Sequence, residues 1–170
     1  RQGPPAAALP LGAGDLTRLL RAAQGWVGGD HPLFRWTQDL DRDQIASALG
    51  QRGIRVGQIE RLEVLERGPS GRVVALAVQG SQGRVVLWRD AIRRTLRRLP
   101  STLFTLGQNS SGVWRFEGGG FGHGVGLSQA GAIDLAQQGW TYARILARYY
   151  PGTRLLSLED LAPVPTEGKP

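Results

Sequence analysis

Six glycines fall within the run Gly-Gly-Gly-Phe-Gly-His-Gly-Val-Gly-Leu-Ser-Gln, from Gly118 to Gln129. Glycine loses more conformational freedom on folding than any other residue, so such a cluster belongs where backbone takes positive φ or lies closer to something than a Cβ allows. The run follows the strand-like Val113–Phe116 and precedes a helical pattern. It is therefore expected to be a strand-to-helix junction that carries a site.

Several chemistries do not fit it. No Gly-x-Gly-x-x-Gly spacing can be laid on the run and no Gly-Lys-Ser/Thr follows it, so a nucleotide is not expected. The chain has no cysteine and only His31 as a second, distant imidazole for His123, so no metal site and no cofactor are expected, and disulfide and thiol chemistry are ruled out. A Ser128–His123 nucleophile pair lacks an acidic orienter and a Gly-x-Ser-x-Gly elbow.

The chain of 170 residues with 41% apolar content suits one globular domain, expected over residues 15–158 between a Pro/Ala-rich linker at 1–14 and a flexible tail at 159–170. No apolar run approaches the roughly 18 to 20 residues of a membrane-spanning helix, and the stretch Gln2–Pro10 is too short for a signal peptide. An opening at Arg1 with no methionine anywhere leads to the expectation of a processed or excised chain.

The spacing of apolar residues predicts helices over Asp15–Gln24, Asp41–Leu49, Asp90–Leu99, Gln129–Gln138 and Tyr142–Tyr149, and strands at Leu33–Thr37, Ser101–Thr105, Val113–Phe116 and Leu155–Leu158. Ile59–Glu66, Arg72–Gln79 and Arg84–Trp88, separated by Gly/Pro/Ser turns, read as an antiparallel meander, its middle segment apolar enough to be buried on both faces. Ser128 and Thr141 stand where N-caps belong, and Gly139 where a left-handed C-terminal cap belongs. The fold class is α+β: an antiparallel meander packed by short helices, with the glycine-rich loop leading into a C-terminal helix pair.

Phe116–Ala132, followed by Gln138-Gly-Trp-Thr-Tyr-Ala-Arg-Ile-Leu-Ala-Arg-Tyr-Tyr-Pro-Gly-Thr, resembles the C-terminal signature of the stage II sporulation protein D / LytB amidase-enhancer family (SpoIID domain). Ser70-Gly-Arg-Val-Val, Arg84-Val-Val-Leu and Leu99-Pro-Ser-Thr-Leu-Phe resemble the part before it, so the likeness covers most of residues 33–157. It implies action on bacterial peptidoglycan, either as a lytic transglycosylase with a glutamate general acid/base or as a modulator of amidases. The Glu-Met-Pro-like segment and the helix after it, which supply that glutamate in the family, have no counterpart here. The chain looks like the C-terminal half of such a domain.

On this reading Gly120, Phe121, Gly122, His123, Gly124, Ser128, Gln129 and Tyr150 are the expected substrate-binding residues. Glycine amides beside a helix N-terminus suit an oxygen bearing partial negative charge; His123 and Gln129 supply donors and Phe121 and Tyr150 sugar-stacking faces. The catalytic residue is left unassigned, with His123 and Glu117 as candidates, Glu117 being the acid nearest the loop and expected on a water-facing strand edge. The net charge of +7, nearly all from arginine, attracts anionic wall polymers and acidic surfaces, whereas the Arg93, Arg94, Arg97 and Arg98 cluster lacks the aromatic interleaving of a nucleic-acid site. The expected partners are peptidoglycan glycan strands, the missing N-terminal half or a cell-wall amidase, not nucleic acid, and the expected location is the extracytoplasmic envelope.

Overall fold

A computed structural model describes residues 13–22, 26–97 and 99–158. The chain divides into two compact units, residues 1–124 and 125–170, and the division falls inside the glycine run. The expected linker up to residue 12 and the tail from residue 159 lie outside the described residues.

The first unit is α+β. Its elements are α1 (Ala13–Arg21), β1 (Arg35–Leu40), α2 (Arg42–Gly50), β2 (Ile59–Arg67), β3 (Val73–Gly80), β4 (Gly83–Trp88), α3 (Asp90–Thr95), β5 (Phe104–Gln108) and β6 (Trp114–Gly119). The expected meander is present as an antiparallel sheet in the order β2-β3-β4, and β3 buries Ala75, Leu76, Ala77 and Val78 on both of its faces. A second antiparallel sheet, β1-β6-β5, pairs a strand from near the start of the unit with the hairpin that delivers the glycine run. Leu40, Ile45, Leu49, Leu76, Ile92, Leu96, Phe104, Trp114 and Phe116 share one core.

Local chemistry explains the element ends. Asp41 accepts from the Gln44 amide at 2.8 Å while the Gln44 side chain accepts from the Asp41 amide at 3.2 Å, a reciprocal capping box that starts α2 and turns Ile45, Ala48 and Leu49 inward. Arg35 closes α1, donating from Nε to the Leu20 carbonyl at 2.6 Å and from Nη2 to the Leu19 carbonyl at 3.0 Å. Helix α3 ends at Thr95 rather than Leu99, because Arg97 turns into positive φ; Leu96 and Leu99 are nevertheless buried, so the apolar stripe is real and its helical continuation is not.

Other expectations shift. The strand foreseen at Leu33–Thr37 forms at Arg35–Leu40, in register with Trp114–Gly119, and the one foreseen at Ser101–Thr105 forms at Phe104–Gln108. Glu117 does face solvent, but from the central strand of its sheet and not from an edge: β6 alternates Trp114 and Phe116 inward with Arg115 and Glu117 outward.

The second unit holds α4 (Gln129–Gln137) and α5 (Tyr142–Tyr149). Ser128 Oγ accepts from the Gly131 amide at 3.2 Å and Thr141 Oγ1 from the Arg144 amide at 3.4 Å, as N-caps. Gly139 has φ +82°, the left-handed turn that ends α4. A methyl on Gly131 would overlap the Tyr149 hydroxyl, so glycine permits the approach of α5 to α4, whose buried side chains are Leu135 and Ile145. No strand forms at Leu155–Leu158: these residues find no ladder partner among the described residues, and Leu158 is 87% exposed.

Candidate functional site

The glycine run combines two uses of glycine. Gly118 and Gly119 are buried at the end of β6, and a methyl on Gly118 would run into the Trp36 indole. Beyond them Gly120, Gly122, Gly124 and Gly126 have φ of +74°, +97°, +74° and +80°, a left-handed backbone at every second residue, which L side chains rarely adopt. The interleaved Phe121, His123 and Val125 are exposed, Phe121 at 67%.

The root of the loop is fastened by backbone and by one buried hydroxyl. The Gly119, Gly120 and Gly122 amides donate to the carbonyls of Leu103, Phe34 and Pro100 at 3.0, 3.2 and 2.8 Å. The Trp36 indole Nε1 donates to the Gly120 carbonyl at 3.1 Å. Ser101, fully buried, donates from Oγ to the Gly119 carbonyl at 2.7 Å, accepts from the Leu103 amide at 3.1 Å, and bridges to Gly122 in parallel register. Those three glycine amides are therefore spent inside the protein, which corrects the picture of a row of amides presented to a ligand. What the loop presents is the side chains of Phe121 and His123 and the backbone around exposed Gly124.

Replacing Ser101 by alanine leaves the buried Gly119 carbonyl unpaired, so Ser101→Ala is expected to cost about 2 kcal/mol in urea unfolding. A midpoint indistinguishable from that of the parent chain would show that the hydroxyl is no anchor.

Beneath the loop lies Arg72, which precedes β3. Its carbonyl accepts from the Gly68 amide at 2.9 Å, and the next amide, Val73, donates to Thr102 at 2.8 Å. A methyl on Gly124 would overlap the Arg72 guanidinium at Nε, Cζ and Nη2, so the glycine backbone rests on that side chain. Burial pushes the Arg72 guanidinium pKa down from its ordinary value.

Of the sequence-predicted residues, Gly120 to Gly124 share one turn in the first unit, in which Phe121, His123 and Gly124 are exposed and Gly120 and Gly122 are half-buried. Ser128, Gln129 and Tyr150 belong to the second unit. There Ser128 is engaged as a cap, Gln129 begins α4 exposed, and Tyr150 is 41% exposed with its hydroxyl 3.3 Å from where a methyl on Gly126 would stand. Glu117 sits on the outer sheet face between Thr37 and Thr105 in register. Sequence reasoning did not single out Ser101 or Arg72. A serine after proline and an arginine after a Gly-Pro-Ser-Gly turn carry no local sign of a contact with residues 18 and 52 positions further on.

A groove of about 800 Å³ in the first unit is lined by Thr17, Leu62, Arg67, Leu106 and Trp114 among others, with no residue of the glycine run in its lining. Among the described residues no group of three or more histidine, cysteine or acidic side chains is placed to hold a metal, and no helix is long and apolar enough to cross a membrane.

The chain belongs to a family described as a domain of unknown function (DUF8618), whose profile matches residues 10–126. Within known proteins it is similar to the amidase enhancer of Bacillus subtilis (strain 168), 46% identical over 57 residues, and to an uncharacterized protein of Brachyspira hyodysenteriae (strain ATCC 49526 / WA1), 28% identical over 123 residues. The matches take in 34% and 71% of this chain, and only 8% and 32% of those two relatives.

Proposed function

We propose that this chain is a peptidoglycan-acting module of the bacterial envelope, which holds glycan strands at the glycine loop. The observation that carries this reading is the 46% identity to the amidase enhancer, joined to a loop whose backbone geometry requires its glycines. Phe121 offers a face to a sugar ring, and His123 offers a donor to a hydroxyl or acetamido oxygen. Residues 15–158 then act as the C-terminal part of a SpoIID-like domain outside the cytoplasm, with glycan strands and a cell-wall amidase as partners.

Glycan cleavage needs a carboxyl group that protonates the glycosidic oxygen, after which the muramyl 6-hydroxyl closes a 1,6-anhydro ring. Glu117 projects from the outer face of the sheet, in register between two threonines and with Arg115 two residues before it on the same face, which is poor support for that role. We assign this chain to binding and orientation. A lytic transglycosylase reaction would draw its glutamate from outside these residues.

Two measurements test the reading. The chain is expected to sediment with purified peptidoglycan in salt high enough to screen simple charge attraction, and to release no 1,6-anhydro muropeptides by mass spectrometry. Loss of sedimentation at that salt would reduce the interaction to non-specific cation binding. Release of anhydro products by the chain alone would overturn the binding-only assignment.

A further inference from the structure

Burial pushes the pKa of three arginines, Arg35, Arg67 and Arg72, below the ordinary value. Two of them return their donors to the protein. Arg35 gives Nε, Nη1 and Nη2 to carbonyls of Leu20, Phe34, Leu19 and Ala22, and Arg67 gives Nη1 to the carbonyls of Gly71 and Phe104 at 2.8 and 2.9 Å. Arg72 does not: its Nη1 is buried with no hydrogen-bond partner, and it enters none of the ion pairs among the described residues. A buried guanidinium nitrogen without an acceptor is costly, and native structures retain one where something else supplies the acceptor or the opposite charge.

The placement says where that something comes. The guanidinium lies directly under Gly124, which is exposed, at the end of a turn held by Ser101 and Pro100. A half-buried cation set against glycine backbone, with no side chain between them, acts on the turn with less screening than a charge in open water. We propose that Arg72 supplies the charge of an oxyanion-binding site at the Gly122–Gly124 turn, taking a carboxylate or phosphate group of the ligand. The inference deepens the proposed function in one respect, and rests on it there: on a glycan strand the oxyanion is the carboxylate carried by muramyl residues or their peptides. The existence of the site rests on Arg72 and Gly124 alone.

The full chain, with nitrogen-15 label, is titrated separately with muramyl dipeptide, inorganic phosphate and the neutral saccharide chitotetraose while the Arg72 Nε–Hε resonance is followed, assigned by its loss in Arg72→Lys. Muramyl dipeptide is expected to move that resonance and chitotetraose to leave it in place. Arg72→Gln is expected to weaken anion binding about tenfold, the scale of one lost charge-assisted hydrogen bond. Movement by muramyl dipeptide alone assigns the carboxylate source. Movement by phosphate alone keeps the site and removes the glycan reading. If neither anion moves the resonance, the proposal is overturned even where chitotetraose binds, and equal affinity of Arg72→Gln for the anions overturns it as well. The wild-type titration decides the matter even where Arg72→Gln fails to fold.

Discussion

Gly118→Ala is expected to destabilise the first unit by about 3 kcal/mol or more, the upper end of what overpacking costs. Gly118 lies in register with Trp36 on one side and Phe104 on the other. A methyl there would enter the Trp36 ring at Cζ2 and Cε2, and would stand 2.6 Å from the Leu103 carbonyl oxygen. Neither neighbour yields easily. The indole is held by its hydrogen bond to the Gly120 carbonyl and packs 6.4 Å, centroid to centroid, from Phe104, which in turn meets Phe116 edge-on at 5.2 Å. Leu103 is backbone, fixed by its amide to Ser101 and its carbonyl to the Gly119 amide.

Because φ at Gly118 is not positive, the penalty is one of space and not of backbone conformation. Trimming the indole in Trp36→Leu/Gly118→Ala should then return part of the loss relative to the sum of the single changes, while the contact with the Leu103 carbonyl keeps the recovery incomplete. Chemical denaturation of the four proteins in the cycle is the check. A Gly118→Ala chain within about 0.5 kcal/mol of the parent, the range of an inconsequential surface change, would mean that strand β6 can shift to make room.

The same glycine run shows how far the sequence could be read. Its density signalled a place where side chains are excluded, and glycine permits the positive φ found at Gly120, Gly122, Gly124 and Gly126, although Gly118 and Gly119 of the same run do not adopt it. The caps at Ser128 and Thr141 were legible because they depend on residues three apart, whereas Asp41, read as the first residue of its helix, is the cap before it. The meander was legible because its strands are consecutive and its turns short.

What escaped is non-local. Pairing of β1 with β6 joins residues nearly eighty positions apart, and no local pattern shows that Arg35–Leu40, with polar Thr37, Gln38 and Asp39 in succession, closes a sheet around the hairpin that carries the loop. The end of α3 escaped because Leu96 and Leu99 satisfy a helical period while being buried through a turn at Arg97. Leu155–Leu158 misled for the opposite reason: an apolar run with no strand beside it among the described residues remains coil. Arg72 was counted only as part of a turn-flanked strand, since an arginine's reach to a neighbouring loop leaves no trace in spacing.

Gly124→Ala is expected to reduce affinity for muramyl dipeptide about tenfold or more while lowering stability by only about 1 kcal/mol, the cost of an L residue in left-handed backbone. Gly124 is exposed and lies outside the hydrogen-bonded root of the loop, so the fold does not depend on it in the way it depends on Gly118. The added methyl would overlap three atoms of the Arg72 guanidinium, which must swing away or push the turn off its surface. Either motion separates the charge from the exposed backbone that it serves. Gly53→Ala is the matched control, with φ +73° against +74° and nothing within 4 Å of its would-be methyl. It incurs the same backbone penalty at a site remote in sequence from the turn, and so should retain parental affinity. Equal affinity in both variants would mean that the turn and Arg72 act independently, and that ligand contact is confined to side chains such as Phe121 and His123. A loss confined to Gly124→Ala would tie recognition to the seat of one guanidinium under one glycine, since backbone strain is common to the two variants.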